Sequence, residues 1–278
     1  MIYLLVGIII AMSIILIVSI VNNHRIQITK YVIQKHELPK SFDDFRITLL
    51  TDIHNEAYCN TTKFYDQVKV TKPDVIFISG DMIDSRRTDI NEAIQVARQL
   101  VKIAPTYYVN GNHEYRVSIY PEFEAKLKEI GVTVLRNQSV KFQRESESIE
   151  LMGLDDPHFI SKNNGYHAEN VAVLQELEKL KTDDSYTILL IHRPEFFETF
   201  VEHKINLVLC GHTHGGQIRI PFVGGVIAPH QGFFPKYDAG LFVKENTVMI
   251  ISKGLGRSSF PLRVNDSPEI VEILLKSN

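Results

Sequence analysis

The chain has 278 residues, enough for one large domain with an appendage, and its 44% hydrophobic and 23% charged content is that of an ordinary globular protein, not a disordered one. A formal net charge of -3 lacks the basic excess that marks nucleic-acid binding, so no nucleic-acid partner is expected. Only Cys59 and Cys210 are present, which excludes a disulfide framework and leaves Cys210, at the end of an apolar run, as a small buried hydrophobe.

Met1 to Val21 carries no charged side chain and is interrupted only by Gly7, Ser13 and Ser19. About 20 such residues suffice for a helix to cross the ~30 Å hydrocarbon core. No Lys or Arg precedes the run and no small-x-small site closes it, which argues for an uncleaved anchor over a signal peptide. Residues 1–22 are therefore expected to form a single transmembrane helix and 23–278 the folded domain. Arg25, Lys30, Lys35 and Lys40 all follow the apolar run, and this positive flank predicts a cell-membrane protein with its domain in the cytoplasm.

Ile26 to Ile33 alternates as an edge strand does, and Pro39-Lys40-Ser41 turns the chain into the next run. Helical spacing follows at Phe64, Val68 and Val70, at Ile94, Ala97 and Val101, and at Phe123, Leu127 and Ile130, closed by Gly131. Arg144 to Ser148 reads as a polar hairpin turn, Asp155 to Gly165 as a loop and Val171 to Leu180 as a helix. After Gly216 the chain is broken by Gly224-Gly225, Pro229, Gly232 and Pro235, with short strands at Leu241 to Val243 and Val248 to Ile251. Strands alternating with helices, then a strand-rich second half, suit an α/β fold of two packed mixed sheets flanked by helices, a four-layer αββα sandwich.

Five apolar runs end in residues of the types that bind metals. Ile47 to Thr51 leads into Asp52-Ile53-His54, and Val75 to Ser79 into Gly80-Asp81-Met82-Ile83-Asp84. Tyr107 to Val109 leads into Asn110-Gly111-Asn112-His113-Glu114, Thr187 to Ile191 into His192, and Ile205 to Cys210 into Gly211-His212-Thr213-His214-Gly215-Gly216. The carboxyl ends of strands are where open α/β sheets build their sites. Carboxylate, amide oxygen and imidazole together suit Mn²⁺, Fe or Zn²⁺, and the lack of clustered cysteine argues against a structural zinc site.

These motifs, in this order, resemble the D-x-H, G-D-x-x-D, G-N-H-[ED], H and G-H-x-H motifs of the calcineurin-like metallophosphoesterases, and the resemblance covers about residues 45 to 275. A narrower likeness is to the membrane-associated bacterial branch similar to YaeI and YkuE, carried by Gly211 to Gln217, by Ser252-Lys253-Gly254-Leu255-Gly256, and by Pro261-Leu262-Arg263 ahead of Pro268-Glu269. The resemblance implies the same αββα fold and two divalent cations: Asp52, His54, Asp81 and His214 on one, and Asp81, Asn112, His192 and His212 on the other. It implies hydrolysis of a phosphoester by a hydroxide bridging the pair. His113 would then face the leaving group as proton donor. Asp84 either holds the His113 ring or caps a helix.

The narrower likeness favours a phosphodiester or pyrophosphate bond in a lipid or nucleotide-lipid. A phosphomonoesterase or protein phosphatase, and a non-catalytic scaffold, are the alternatives. Phe222, Phe233, Phe234, Lys236 and Tyr237 mix aromatic and basic groups after the metal turn, so their loop either rests in a membrane interface or folds onto the core. His24, His36, His158, His167, His203 and His230 are expected to be surface or satisfied histidines. Arg193, Lys253, Arg257 and Arg263 could bind phosphate but are expected to be solvated. Asn55, after the first motif, bears on the shape of the rim.

Overall fold

The structure, a computed structural model, describes residues 2–7, 10, 13, 17, 25–161, 165–180, 185–257 and 263–277. Residues 2–7, 10, 13 and 17 are helical, and the rest of the expected anchor lies outside the described residues, as do Pro261 and Leu262. No helix among the described residues is long and apolar enough to cross a membrane.

In chain order the strands are β1 (Gln27–Lys35), β2 (Arg46–Leu50), β3 (Val75–Ser79), β4 (Thr106–Val109), β5 (Thr133–Val134), β6 (Gln138–Arg144), β7 (Glu147–Gly153), β8 (Thr187–Leu190) and β9 (Leu207–Cys210). Two short ribbons follow, β10 (Arg219–Ile220) with β11 (Gly224–Gly225) and β12 (Ile227–Ala228) with β13 (Gly232–Phe233). The chain closes with β14 (Gly240–Lys244), β15 (Thr247–Ile251) and β16 (Glu269–Ser277). One six-stranded sheet has the order β1-β16-β2-β3-β4-β5 and the other β14-β15-β9-β8-β7-β6. β2 to β5 are parallel, as are β7, β8, β9 and β15, so each sheet is mixed only toward its margins.

Side chains alternate between the two faces of a strand, and three apolar layers follow from that rule. Ile47, Leu49, Val75 and Phe77 meet Leu151, Ile188, Leu190, Leu209 and Ile250 between the sheets. Leu50, Ile76 and Ile78 face the other way, onto helices Thr62–Val70, Ile90–Leu100 and Tyr120–Glu129. On the far side Met152, Leu189, Val208 and Met249 pack on helices Tyr166–Leu180 and Phe197–Glu202. The order is helix, sheet, sheet, helix, the αββα arrangement expected.

Several local expectations are corrected. Pro39-Lys40-Ser41 runs into a short 3-10 helix, Lys40–Phe42, and Asp155 to Gly165 holds a helical turn, Pro157–Ile160, entered at Pro157. Val70, expected on the buried face, is exposed at the last turn of its helix. β1 is the edge strand expected; its neighbour is β16, the second strand in, whose Ile270, Val271, Ile273 and Leu275 form a buried apolar run not among the expected strands.

Candidate metal centre

β2, β3 and β4 of one sheet and β8 and β9 of the other all end at one edge of the sandwich, and the turns that follow them converge. Asp52, His54, Asp81, His212 and His214 all have positive φ, between 49° and 73°. L-residues adopt that conformation at a cost, which surrounding structure must repay; such strain gathers at functional sites. Gly80 has φ 76°, and a Cβ there would lie 2.6 Å from His192 Nδ1, so only glycine lets the β3 turn pass beneath that ring.

Four groups of possible ligand atoms result among the described residues; His54, Asp81 and His113 form one, Glu195, His212 and His230 another, and the remaining two are buried throughout. Of these two, Asp52, His54 and His214 form the first and Asp81, His192 and His212 the second. In the first, His54 Nε2 lies 3.3 Å from His214 Nε2 and 3.7 Å from Asp52 Oδ1, and His214 Nε2 is 3.4 Å from that same oxygen. In the second, His192 Nε2 is 3.3 Å from Asp81 Oδ2 and 3.1 Å from His212 Nδ1. Asp81 Oδ2 is also 3.6 Å from His54 Nε2, so Asp81 stands between the groups. Donor atoms about 2.0–2.2 Å from a tetrahedral cation are themselves roughly 3.3–3.6 Å apart, and these spacings fit that pattern.

Three further observations fit cations. Asn112 Oδ1 is buried and has no hydrogen-bond partner among the described residues. His192 Nδ1 faces the Ser79 carbonyl at 2.8 Å, and a carbonyl can only accept, so Nδ1 carries the proton and the Nε2 lone pair is left to the cluster. The cluster also calls for positive charge. Burial works against a charged His192, yet Asp81 and Asp52 beside it raise its imidazole to about 10, so without a cation a second proton would occupy Nε2, the position a cation takes when bound.

Neighbouring groups hold the arrangement. Asp52 accepts the His212 amide at 3.0 Å, and Asp81 Oδ1 accepts the His113 amide at 2.8 Å. The Glu114 carboxylate accepts from the amides of Asp81, Ile83 and Gly111 at 2.9, 3.1 and 2.8 Å, clamping the β3 and β4 turns together. Burial and the charge of Asp81 push this carboxyl up to about 7.

The His113 ring packs edge-on against His54, with 4.5 Å between centroids. Its Nδ1 lies 3.0 Å from the Ser85 amide and 3.4 Å from Asp84 Oδ1. The amide can only donate, so the neutral ring carries its proton on Nε2. Asp84 acts through the loop as well: it accepts from Arg86 Nε at 2.8 Å and Arg87 Nε at 3.1 Å. Burial would raise the Asp84 carboxyl, but the His113 ring and the Arg86 guanidinium hold it well below the usual range. Asp84 is not a helix cap; Asp89 caps Ile90–Leu100, accepting the Glu92 amide at 3.0 Å. Asn55 joins the two, its Oδ1 accepting the Asp84 amide at 2.9 Å and its Nδ2 donating to the Asp89 carbonyl at 2.7 Å.

Two expectations about solvated side chains fail. Arg193 is fully buried and donates to Asp156 at 2.7 and 3.0 Å and to Glu169 at 3.2 Å, while Arg263 is buried against Asp266 at 3.1 Å. Arg257 remains partly exposed on Glu56 and Lys253 reaches Gln27. His158 and His230 are also not plain surface residues. His158 Nδ1 lies 3.3 Å from Asp156 and its ring stands 6.0 Å from that of His230; His230 Nδ1 lies 3.0 Å from His212 Nε2, on the side away from His192. Glu195 completes a group with His212 and His230, and both its carboxylate oxygens are buried without a hydrogen-bond partner among the described residues.

A family model described as calcineurin-like phosphoesterase matches residues 45–216. The chain is 31% identical over 261 residues to the "uncharacterized metallophosphoesterase YkuE" of Bacillus subtilis, covering 91% of this chain and 87% of that one. It is 30% identical over 237 residues to "Phosphodiesterase YaeI" of Escherichia coli, covering 83% and 82%. The "transmembrane protein with metallophosphoesterase domain" of Bos taurus is 32% identical over 262 residues, 90% of this chain, which spans 57% of the bovine protein.

Proposed function

Because the chain belongs to the calcineurin-like phosphoesterase family and is thus a metal-dependent phosphoesterase, we propose that it is a membrane-anchored phosphodiesterase acting on a phosphodiester or pyrophosphate bond. The observation that carries this reading is the pair of buried ligand groups with Asp81 standing between them and His113 beside His54 where the strands end. Asp52, His54, Asp81 and His214 would hold one cation, and Asp81, Asn112, His192 and His212 the other. Two divalent cations, Mn²⁺, Fe or Zn²⁺ in kind, supply Lewis-acid stabilisation of the phosphoryl oxygens and a water of lowered pKa.

The protein's own contribution begins at His113, whose Nε2–H donates to the leaving oxygen as the ester bond breaks. The Ser85 amide holds that tautomer, and Asp84, Arg86 and Arg87 hold the loop that presents Ser85. Glu114 ties the Asp81 turn to the Asn112 turn, so both ligand groups keep one geometry during turnover. The name of the E. coli relative supports the diesterase reading, and that of the bovine relative, with the charge-free run Met1 to Val21, supports the anchor.

Metal analysis paired with assays on a generic phosphodiester and a phosphomonoester tests the reading. Two cations per chain and faster diester turnover are expected, with Asp81→Ala folded but inactive. Faster monoester turnover would make the protein a phosphatase. Two bound cations with no turnover of either would make it a scaffold.

A further inference from the structure

The two ribbons that follow the metal turn divide their side chains between the site and solvent. The second, β12 with β13, turns His230 onto His212 while leaving Phe233 and Phe234 73% and 62% exposed. The first, β10 with β11, leaves Phe222 and Val223 at its tip wholly and mostly exposed, beside Ile220. Tyr237 and Lys236 do not join this crest: Tyr237 is buried and Lys236 pairs with Glu198 at 3.0 Å. Nor is the crest a loose loop. Asp238 accepts the Gly225 amide at 2.7 Å and pairs with Arg219 at 2.9 Å, and Arg219 donates to the Gly215 carbonyl at 2.8 Å, inside the metal turn. A stiff, aromatic projection kept in water would be costly, so it calls for a cover.

The chain's own N-terminal run names the cover. β16 runs antiparallel to β2, with Val271 opposite Leu49, so its first residue lies at the end of the sheet where Asp52 follows β2. Gln27 pairs with Glu269, so β1 also begins at that end. The strap 263–268 joins that start to the crest. Val264 accepts the Arg219 amide at 2.9 Å and donates to the Gln217 carbonyl at 2.8 Å, and Pro268 accepts the Gln27 amide at 2.8 Å. Val264 and Pro268 are four residue steps apart, a reach of at most about 14 Å. β1, the strand that follows the charge-free run in sequence, therefore begins at the end of the sandwich that carries the metal centre and the aromatic crest.

We propose that the crest Phe222, Val223, Phe233 and Phe234 is a membrane-dipping surface, so that the domain stands on the bilayer with its metal centre facing the headgroups. The inference rests on the anchored reading above and adds an orientation to it. Aromatic and aliphatic side chains on a rigid rim enter the headgroup and acyl boundary, as interfacial anchors do. The scissile bond would then be taken from the membrane surface, and not from a substrate approaching through bulk water.

The chain contains no tryptophan, so single substitutions give unambiguous reporters. Phe222→Trp and Phe233→Trp report on the crest. Val243→Trp reports on the opposite end, since Val243 is exposed on β14 and pairs with Val248, near the start of β15. The full chain is reconstituted in vesicles of phosphatidylethanolamine and phosphatidylglycerol containing brominated phosphatidylcholine. Emission from Phe222→Trp and Phe233→Trp should shift to the blue and be quenched several-fold more than that from Val243→Trp. A chain that floats with the vesicles but shows equal quenching at all three positions overturns the orientation alone. A chain that does not float overturns the anchored reading and the orientation with it. A blue shift that needs a second copy of the chain and no vesicles would make the crest a self-association face, and the proposal would be wrong.

Discussion

His113 and His212 are each governed by a partner on the side away from the reaction. Ser85 donates to Nδ1 of His113, so the proton available to a leaving group sits on Nε2. His113→Ala should retain both cations and lose roughly 10²- to 10⁴-fold in turnover, with much less loss on a substrate whose leaving group is already a weak base. Equal losses on good and poor leaving groups, measured as kcat on a series of aryl diesters, would remove the acid role. His230 faces the outer nitrogen of His212, the place where metal-binding histidines usually find a partner that fixes their tautomer. His230→Ala should therefore weaken one of the two cations by about 10- to 100-fold and leave the other unchanged. Competition with a chelating dye reads this directly, and two unchanged affinities would mean the contact does no positioning. The motif residues were legible in the sequence because each stands at the end of an apolar run. His230 was not, since it lies on a glycine- and proline-broken stretch with no periodicity, and only the ribbon pairing of Ala228 with Gly232 turns it toward His212. The burial of Arg193 is hidden for a related reason: its partners are Asp156 in the turn after β7, Glu169 in a helix and, as an ion pair at 3.8 Å, Glu195 in its own loop, and no local pattern announces them.

At the level of elements, the alternation of Ile47, Leu49, Val75 and Phe77 with Leu50, Ile76 and Ile78 made the sheets and their two-sided burial readable. Strand order was not readable in the same way, because β16 enters the first sheet from the far end of the sequence. The buried Arg193 network ties the loop after β8 to the turn after β7 and to helix Tyr166–Leu180. Removing one member leaves uncompensated buried charge, so Arg193→Met should cost about 3–5 kcal/mol of stability. Urea denaturation of the metal-free protein measures it. A double change, Arg193→Met with Asp156→Asn, should recover part of the loss, and a single-variant cost near zero would show that water reaches the network.

For the whole molecule, the positive flank after Val21 predicts a cytoplasmic domain if the proposed anchor spans a membrane, and the structure makes that expectation simple to test. Cys59 and Cys210 are both fully buried, and burial raises both thiols well above the ordinary range, so neither competes with an added surface thiol. A cysteine placed at Ser277 should escape an impermeant maleimide in intact cells and react after lysis. Ready labelling in intact cells would put the domain outside. The placement of β16 has one more consequence, which concerns synthesis. β1 leaves the ribosome about 240 residues ahead of its ladder partner β16, Gln27 pairing with Glu269. Until β16 emerges, β2 also lacks its antiparallel neighbour, so the ligands after β2 hang from an open sheet edge. An N-terminal anchor inserted early would hold this unfinished edge at the bilayer while translation proceeds, and the emergence of β16 would be the step that closes the sheet.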